Sequence, residues 1–376
     1  MSRFHWINDT TQLTPLVEHW RKLGCVFVDT EFHRERTFYP LLALIQLSDG
    51  TQNYLIEPKI AKQCDAFVEL LSDSNIRKVF HSASEDCEVL YRFFGVPMQG
   101  LFDTQIAGSF IGLGVSIGYA AMVESLCDVS LAKGWSRSDW MQRPLTEQQL
   151  NYAVDDVEYL ASAYVKLIDR LKEKPELASW IEQDCAALES RVDALDNMDE
   201  AYLDVKNAWK LNKAQLIRLY HLSLWREHEA RDRDLPKTFI LKNDELFELS
   251  RLGLTDKQQL PFIDKWHPAS RRRHGKALID VLIDVEQSGD LPENFIAPLS
   301  PKFWQAQTQS MQVARDGIES VATTLGLESE VLCSKKLLRQ YVSHLLGKRP
   351  RLPRAWTKMR EQNLGPVIRS AFEKSS

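Results

Sequence analysis

The feature that most constrains this 376-residue chain is a change of hydrophobic rhythm near residue 170. Up to about residue 165, short apolar runs alternate with segments of helical spacing; beyond residue 170 the strand signals vanish. Cys25-Val26-Phe27-Val28, Leu42-Ala43-Leu44-Ile45-Gln46-Leu47 and Tyr54-Leu55-Ile56 have strand length, and Ser48-Asp49-Gly50 supplies a turn. Their short links predict an antiparallel meander, and Ile76 to Phe80 predicts a fourth strand. A helix is expected from about Ser84, with Val89, Leu90, Phe93 and Phe94 on one side and Gly95 ending it. Such a mixture makes an α/β domain, a sheet covered by helices. Leu171 to Asn197 reads as a charged helical connector. From Ala208 onward Leu216, Leu219, Tyr220, Leu222 and Trp225 recur at helical spacing, and Trp225 is expected in a core. Asp234-Leu235-Pro236 interrupts that pattern, Asn243-Asp244-Glu245-Leu246 opens another helix, and a second all-helical unit follows Pro301 and ends near Phe372.

Composition removes several function classes. No window approaches the roughly 18 unbroken apolar residues of a membrane span, and the N-terminus lacks the apolar run of a signal peptide. A cytoplasmic protein with no membrane partner is therefore expected. The cysteines at 25, 64, 87, 127, 185 and 333 form no C-x-x-C pair, so reduced thiols are expected rather than a zinc site or a disulfide framework. Net charge is −5, yet residues 300–376 carry thirteen Lys and Arg against six Asp and Glu. An acidic body with a basic end suits a carboxylate-lined metal site and a separate phosphate-attracting surface. It suits simple sequence drift equally well.

Three acidic strings stand out. In Val28-Asp29-Thr30-Glu31-Phe32, residues two apart on a strand face the same way about 6.6–7 Å apart. Asp29 and Glu31 can thus converge on one cation, and a hard, oxygen-ligated ion such as Mg2+ or Mn2+ would relieve their repulsion. A strand end emerging into solvent explains the same string. Tyr152-Ala153-Val154-Asp155-Asp156 lies in a helix with Thr146 as N-cap, Gln149 completing a capping box and Leu145 with Leu150 as a hydrophobic staple. Tyr152 and Asp156, four apart, share a face away from the apolar stripe. That suits a metal ligand beside a water-orienting hydroxyl, or a solvated helix face. Asp155 points elsewhere and reads as a solvated acid. His81-Ser82-Ala83-Ser84-Glu85-Asp86 places two acids in a first helical turn, where the helix dipole alone favours them. Asp103 can cap the helix that begins after it.

Together these strings resemble the DEDD exonuclease superfamily in its tyrosine-bearing branch, and the ribonuclease D family within it. The first motif matches Asp29-Thr30-Glu31-Phe32 with Tyr39-Pro40 and Leu44-Ile45-Gln46-Leu47; the second matches His81 through Asp86; the third matches Tyr152 through Asp156. Asp103-Thr104-Gln105, Ser138-Asp139-Trp140 and Arg143-Pro144-Leu145 add family-like flanks. Gln215-Leu216, Leu224-Trp225-Arg226, Ala230-Arg231, Asp234-Leu235-Pro236 and Phe239-Ile240-Leu241 resemble the HRDC helical module.

The resemblance implies an α/β ribonuclease H-like exonuclease domain over 1–170, with a mixed sheet flanked by helices, and a helical linker over 171–207. Two all-α HRDC-type domains would follow, at 208–290 and 300–372. It implies a bacterial origin and two divalent ions, Mg2+ or Mn2+. Asp29 would bridge both, Glu31 and Asp156 would hold the one that activates water, and Asp86 would hold the second. Tyr152 would orient the water. The implied activity is 3′→5′ removal of nucleoside 5′-monophosphates from RNA, tRNA precursors in particular, by a monomer. Phe32 and Tyr39 are candidates to touch the terminal nucleotide; packing accounts for either equally well. Arg271, Arg272, Arg273, Lys348, Arg349 and Arg351 are candidates to grip phosphates; a solvated basic face accounts for them equally well. A DNA-directed exonuclease and a non-catalytic nucleic-acid adaptor are the rival readings, and the intact acids argue against the adaptor.

Overall fold

The structure is a computed structural model that describes residues 3–131, 138–254, 266 and 268–373. Six strands form one mixed sheet: β1 (His5–Ile7), β2 (Cys25–His33), β3 (Leu41–Ser48), β4 (Asn53–Ile56), β5 (Arg77–Phe80) and β6 (Leu101–Asp103). Their spatial order is β1-β4-β3-β2-β5-β6. The β2-β3-β4 pairs are antiparallel, which is the expected meander. The other pairs, β1 with β4, β2 with β5 and β5 with β6, are parallel. Central β2 and β3 are buried along most of their length, as strands covered on both faces must be.

Helices α1 (Thr10–Leu23), α2 (Pro58–Lys62), α3 (Asp65–Ser72), α4 (Ser84–Phe94), α5 (Thr104–Phe110), α6 (Tyr119–Cys127) and α7 (Glu147–Leu171) complete this unit. Gly95 ends α4 in the left-handed conformation at φ 79°, where a side chain would be strained. The predicted capping box of α7 is present: Thr146 Oγ1 accepts from the Gln149 amide, and Gln149 Oε1 accepts from the Thr146 amide. α7 lies across β2, β3 and β4. Its Ala153 and Val154 share an apolar cluster with Ala43, Leu44, Leu55, Trp140 and Leu145.

The segment expected as a linker does more than connect. α8 (Ala178–Glu189) buries Trp180, Ile181 and Cys185 in the same apolar core as the sheet. The middle helices are α9 (Lys213–Asp232), α10 (Lys237–Ile240), α11 (Asn243–Leu252) and α12 (Pro268–Ser288). They have a separate core built on Leu219, Leu222, Ile240, Leu246, Leu249, Leu278 and Leu282. Trp225 is half-buried against this core, edge-on to His274 at 6.2 Å.

The last helices are α13 (Pro301–Ala306), α14 (Thr308–Leu325), α15 (Ser329–Leu332), α16 (Lys335–Leu345), α17 (Lys358–Asn363) and α18 (Gly365–Glu373). Their core residues, including Ala314, Ile318, Leu338, Leu364 and Ile368, are continuous with the sheet's core. The bridge runs through α8, where buried Arg360 of α17 pairs with Asp184 and donates to the Leu332 carbonyl at 2.7 Å. Such a cation is stable under cover because its donors are satisfied. No described helix is long and apolar enough to cross a membrane.

Candidate active site

Strand alternation sends Asp29 and Glu31 to one face of β2, and α7 crosses that face carrying Asp156. One carboxylate oxygen from each of Asp29, Glu31 and Asp156 lies within 4.8 Å of the other two. Asp86 stands outside this triplet but close by. Its carboxylate accepts a 2.5 Å hydrogen bond from the hydroxyl of Thr30, the residue between the two strand acids. Tyr152 lies one turn before Asp156, near enough for its phenol and the Asp156 carboxylate to influence each other. Its ring lies 6.0 Å from that of buried Trp140.

The electrostatics of this cluster are severe. Burial, then the charges of Asp156, Asp86 and Glu31, drive the Asp29 carboxyl well above the usual range. Glu31 is pushed up to about 9 by burial and by Asp156 and Asp86. Asp156 rises to about 8 through burial and the charge of Asp155, and Asp86 to about 6 through burial, against the pull of its Thr30 bond. No Lys or Arg among the described residues pairs with any of the four. Four carboxyls gathered without a counter-charge are stable as anions only around a cation. Their oxygens are the donors that a hard divalent ion takes, so the residues fit the ion that the motifs imply.

Asp86 is placed by Asp103, which sequence reading took as a helix cap and as part of a family-like flank. Asp103 caps α5, accepting from the Gln105 amide at 2.8 Å and the Ile106 amide at 3.4 Å. It also accepts from the amides of Ser82 at 3.0 Å and Ala83 at 2.8 Å. These bonds hold the turn that launches α4, in which Ser82 has φ 64°. Asp103 is 1% exposed. His81 braces the same turn through Thr104 and the Ile117 carbonyl, each at 3.0 Å.

Sequence reading missed two neighbours. The Thr30 hydroxyl was hidden by alternation, which sends it away from Asp29 and Glu31. Tyr119 donates to the Asp155 carbonyl at 2.8 Å, and burial with the charges of Asp156 and Asp29 raises its pKa. No spacing links it to the motifs. Asp155, expected as a solvated acid, forms an ion pair with Arg3 at 2.6 Å.

Phe32 packs at the margin of the sheet's core, beside a bulge between Glu31 and Phe32. The loop that follows is docked on the middle helices. The amides of Phe38 and Tyr39 both donate to Asp234 Oδ1 at 2.9 Å, Arg231 lies 4.7 Å over the Phe38 ring, and Arg92 lies 5.2 Å over that of Tyr39. Asp234 itself adopts φ 48° at the end of α9. Tyr39 is half-buried, its backbone amide held by Asp234 and its ring beneath Arg92 of α4. Arg272 and Arg273 are exposed on α12 and Arg271 is half-buried; Lys348 and Arg351 are exposed. Arg349 differs from its neighbours: it pairs with Glu200 at 2.8 Å and is largely covered, so its charge is already engaged.

A carboxylate cluster on a mixed sheet defines a class, and comparison with known proteins agrees. Residues 4–172 match the 3′-5′ exonuclease family, and residues 215–282 match the HRDC domain family. The fold and site are those of a 3′→5′ exonuclease that depends on divalent metal. Ribonuclease D of Pseudomonas paraeruginosa is 36% identical over 98% of this chain and 97% of its own length. Ribonuclease D of Escherichia coli is 33% identical over 90% of each chain. The crystal structure of Escherichia coli RNase D, an exoribonuclease involved in structured RNA processing, superposes with a TM-score of 0.88 at 30% identity, covering 99% of both chains. The chain belongs to the ribonuclease D family.

Proposed function

We propose that this protein removes nucleoside 5′-monophosphates one at a time from RNA 3′ ends. Asp29, Glu31, Asp86 and Asp156 would hold two divalent ions, Mg2+ or Mn2+. The observation that carries this reading is the convergence of Asp29, Glu31 and Asp156 within 4.8 Å, with no cationic side chain among the described residues to neutralise them. When bound, the ions supply Lewis-acid stabilisation of the charge that develops on the attacking and leaving oxygens of an in-line displacement.

The chain's own groups do the rest. Burial and the charges of Asp156, Glu31 and Asp29 hold the Tyr152 phenol above its ordinary pKa. It therefore acts as a hydrogen-bond donor that orients water, and not as a base at neutral pH. The water oxygen bonds to phosphorus, the bond from phosphorus to the 3′ oxygen breaks, and that oxygen takes a proton. Phe32, beside Glu31, is the candidate to pack on the terminal nucleotide. Arg271, Arg272, Arg273, Lys348 and Arg351 are candidates to attract the RNA body.

The division into an exonuclease domain (1–170), a linker (171–207), an HRDC domain (208–290) and a second HRDC-like domain (300–372) belongs to this proposal. So do tRNA precursors as substrates, a monomeric state and a cytoplasmic location, the last in keeping with six free thiols. The test is digestion of a structured RNA with a single-stranded 3′ tail beside a matched DNA. The RNA is expected to be trimmed faster; equal rates would remove the RNA preference, and faster DNA trimming would favour a DNA-directed exonuclease.

A further inference from the structure

Gln46 lies on β3 directly across from Asp29 of β2. In an antiparallel pair, residues so placed point to the same face with Cβ atoms about 4.5–5.5 Å apart. Gln46 is 0% exposed, and neither its amide oxygen nor its amide nitrogen has a hydrogen-bond partner among the described residues. Ser48, two residues on, is engaged in its own turn, and Glu31 lies diagonally across on β2. The apolar neighbours of Gln46 are Leu55, its partner on β4, Leu44, two residues back on the same face, and Ala153 and Val154 of α7, which cover that face.

An unsatisfied buried polar group is destabilising, and Leu or Met would fill similar space without that penalty. An amide retained here needs a polar function. The polar group that register places directly across from it is the Asp29 carboxylate, which has no cationic partner among the described residues. Carboxylates that hold metal ions are in turn hydrogen-bonded by neighbours that orient them, and loss of such a neighbour weakens ion binding about 10–100-fold.

We propose that Gln46 is a positioning residue of the ion site: its amide nitrogen donates to the ionised Asp29 carboxylate, directing the other lone pairs of that carboxylate at the ion. The inference rests on the reading of Asp29 as an ion ligand. It gives Gln46 two opposed effects. In the metal-free protein the amide is a buried group without partners and destabilises. In the ion-loaded protein it fixes a ligand.

The test is calorimetric titration of Mn2+ into the full chain without RNA, with thermal melts in chelator. Gln46→Leu and Gln46→Met are compared with wild type, and Asp29→Asn serves as the control. Gln46→Leu is expected to bind Mn2+ about 10-fold or more weaker while melting at or above the wild-type temperature in chelator. Its RNA hydrolysis should recover to near wild-type kcat at high Mn2+. Gln46→Met reads the same contrast if Leu disturbs packing. Affinity within twofold of wild type in a folded Gln46 variant, with Asp29→Asn defective, would overturn the role of Gln46 and leave the site intact. Wild-type affinity in Asp29→Asn would overturn both.

Discussion

Neutralising a catalytic carboxylate should stabilise the metal-free protein. Glu31 is the sharpest case, because burial and its acidic neighbours move its carboxyl from 4.5 to about 9. A folded-state pKa raised above the unfolded value leaves full stability below pH 4.5 and removes it as pH climbs through about 9. At pH 7.5 the folded chain must keep Glu31 protonated three units above its unfolded pKa, which at 1.36 kcal/mol per unit costs about 4 kcal/mol. Glu31→Gln is nearly isosteric and carries no such cost. With roughly 2 °C of melting temperature per kcal/mol for a unit of this size, the variant should melt about 8 °C higher than wild type in chelator at pH 7.5. The gain should shrink toward zero near pH 4.5 and grow toward pH 9. Saturating Mg2+ should lift wild type far more than the variant and narrow or reverse the difference, while hydrolysis by the variant is lost. Melts followed by circular dichroism at several pH values, with and without chelator, measure all of this. A metal-free Glu31→Gln that melts at or below wild type throughout would refute the claim that the acids are gathered at the expense of stability.

Two further outcomes follow from the way the site is held. Asp103→Ala strands four amides that now share one buried carboxylate; a loss of about 3 kcal/mol or more is expected by chemical denaturation, with a weaker hold on ions through Asp86. Asp234→Ala removes the acceptor for the Phe38 and Tyr39 amides; hydrogen exchange at those two amides should speed up, and the Michaelis constant on a long tailed RNA should rise more than kcat falls. Unchanged exchange would show that the loop holds its shape without the HRDC module.

Much of the fold was legible because long, strongly patterned elements announce themselves. The meander came from apolar runs bounded by turn residues, α4 from its stripe and its terminal glycine, and α7 from a capping box that the structure reproduces. β1 and β6 were not legible. Each has three residues, too few for any period to emerge, and pairing with longer strands makes them strands. The connector was misjudged in weight for a similar reason: the charges around α8 suggest solvent, yet a single face with Trp180, Ile181 and Cys185 suffices to join two halves of a core.

At the site, spacing alone brought Asp29 to Glu31 and Tyr152 to Asp156. It could not bring β2 to α7, because that meeting depends on where a helix more than a hundred residues away crosses the sheet. The family resemblance supplied the link, and the geometry gives it physical content. Asp86 was ambiguous in sequence because a helix start explains an acid by itself; the bond from Thr30 and the turn held by Asp103 are tertiary. Arg349 has the right charge for a phosphate contact, and its pairing with Glu200 is a tertiary feature that no spacing shows.

The most direct test of the central claim is product analysis on a 3′-tailed RNA with wild type and Asp29→Asn at saturating Mg2+. Wild type should release only nucleoside 5′-monophosphates from the 3′ end, and a folded Asp29→Asn should release none. Normal hydrolysis by Asp29→Asn, or cleavage within the chain by wild type, would contradict the account.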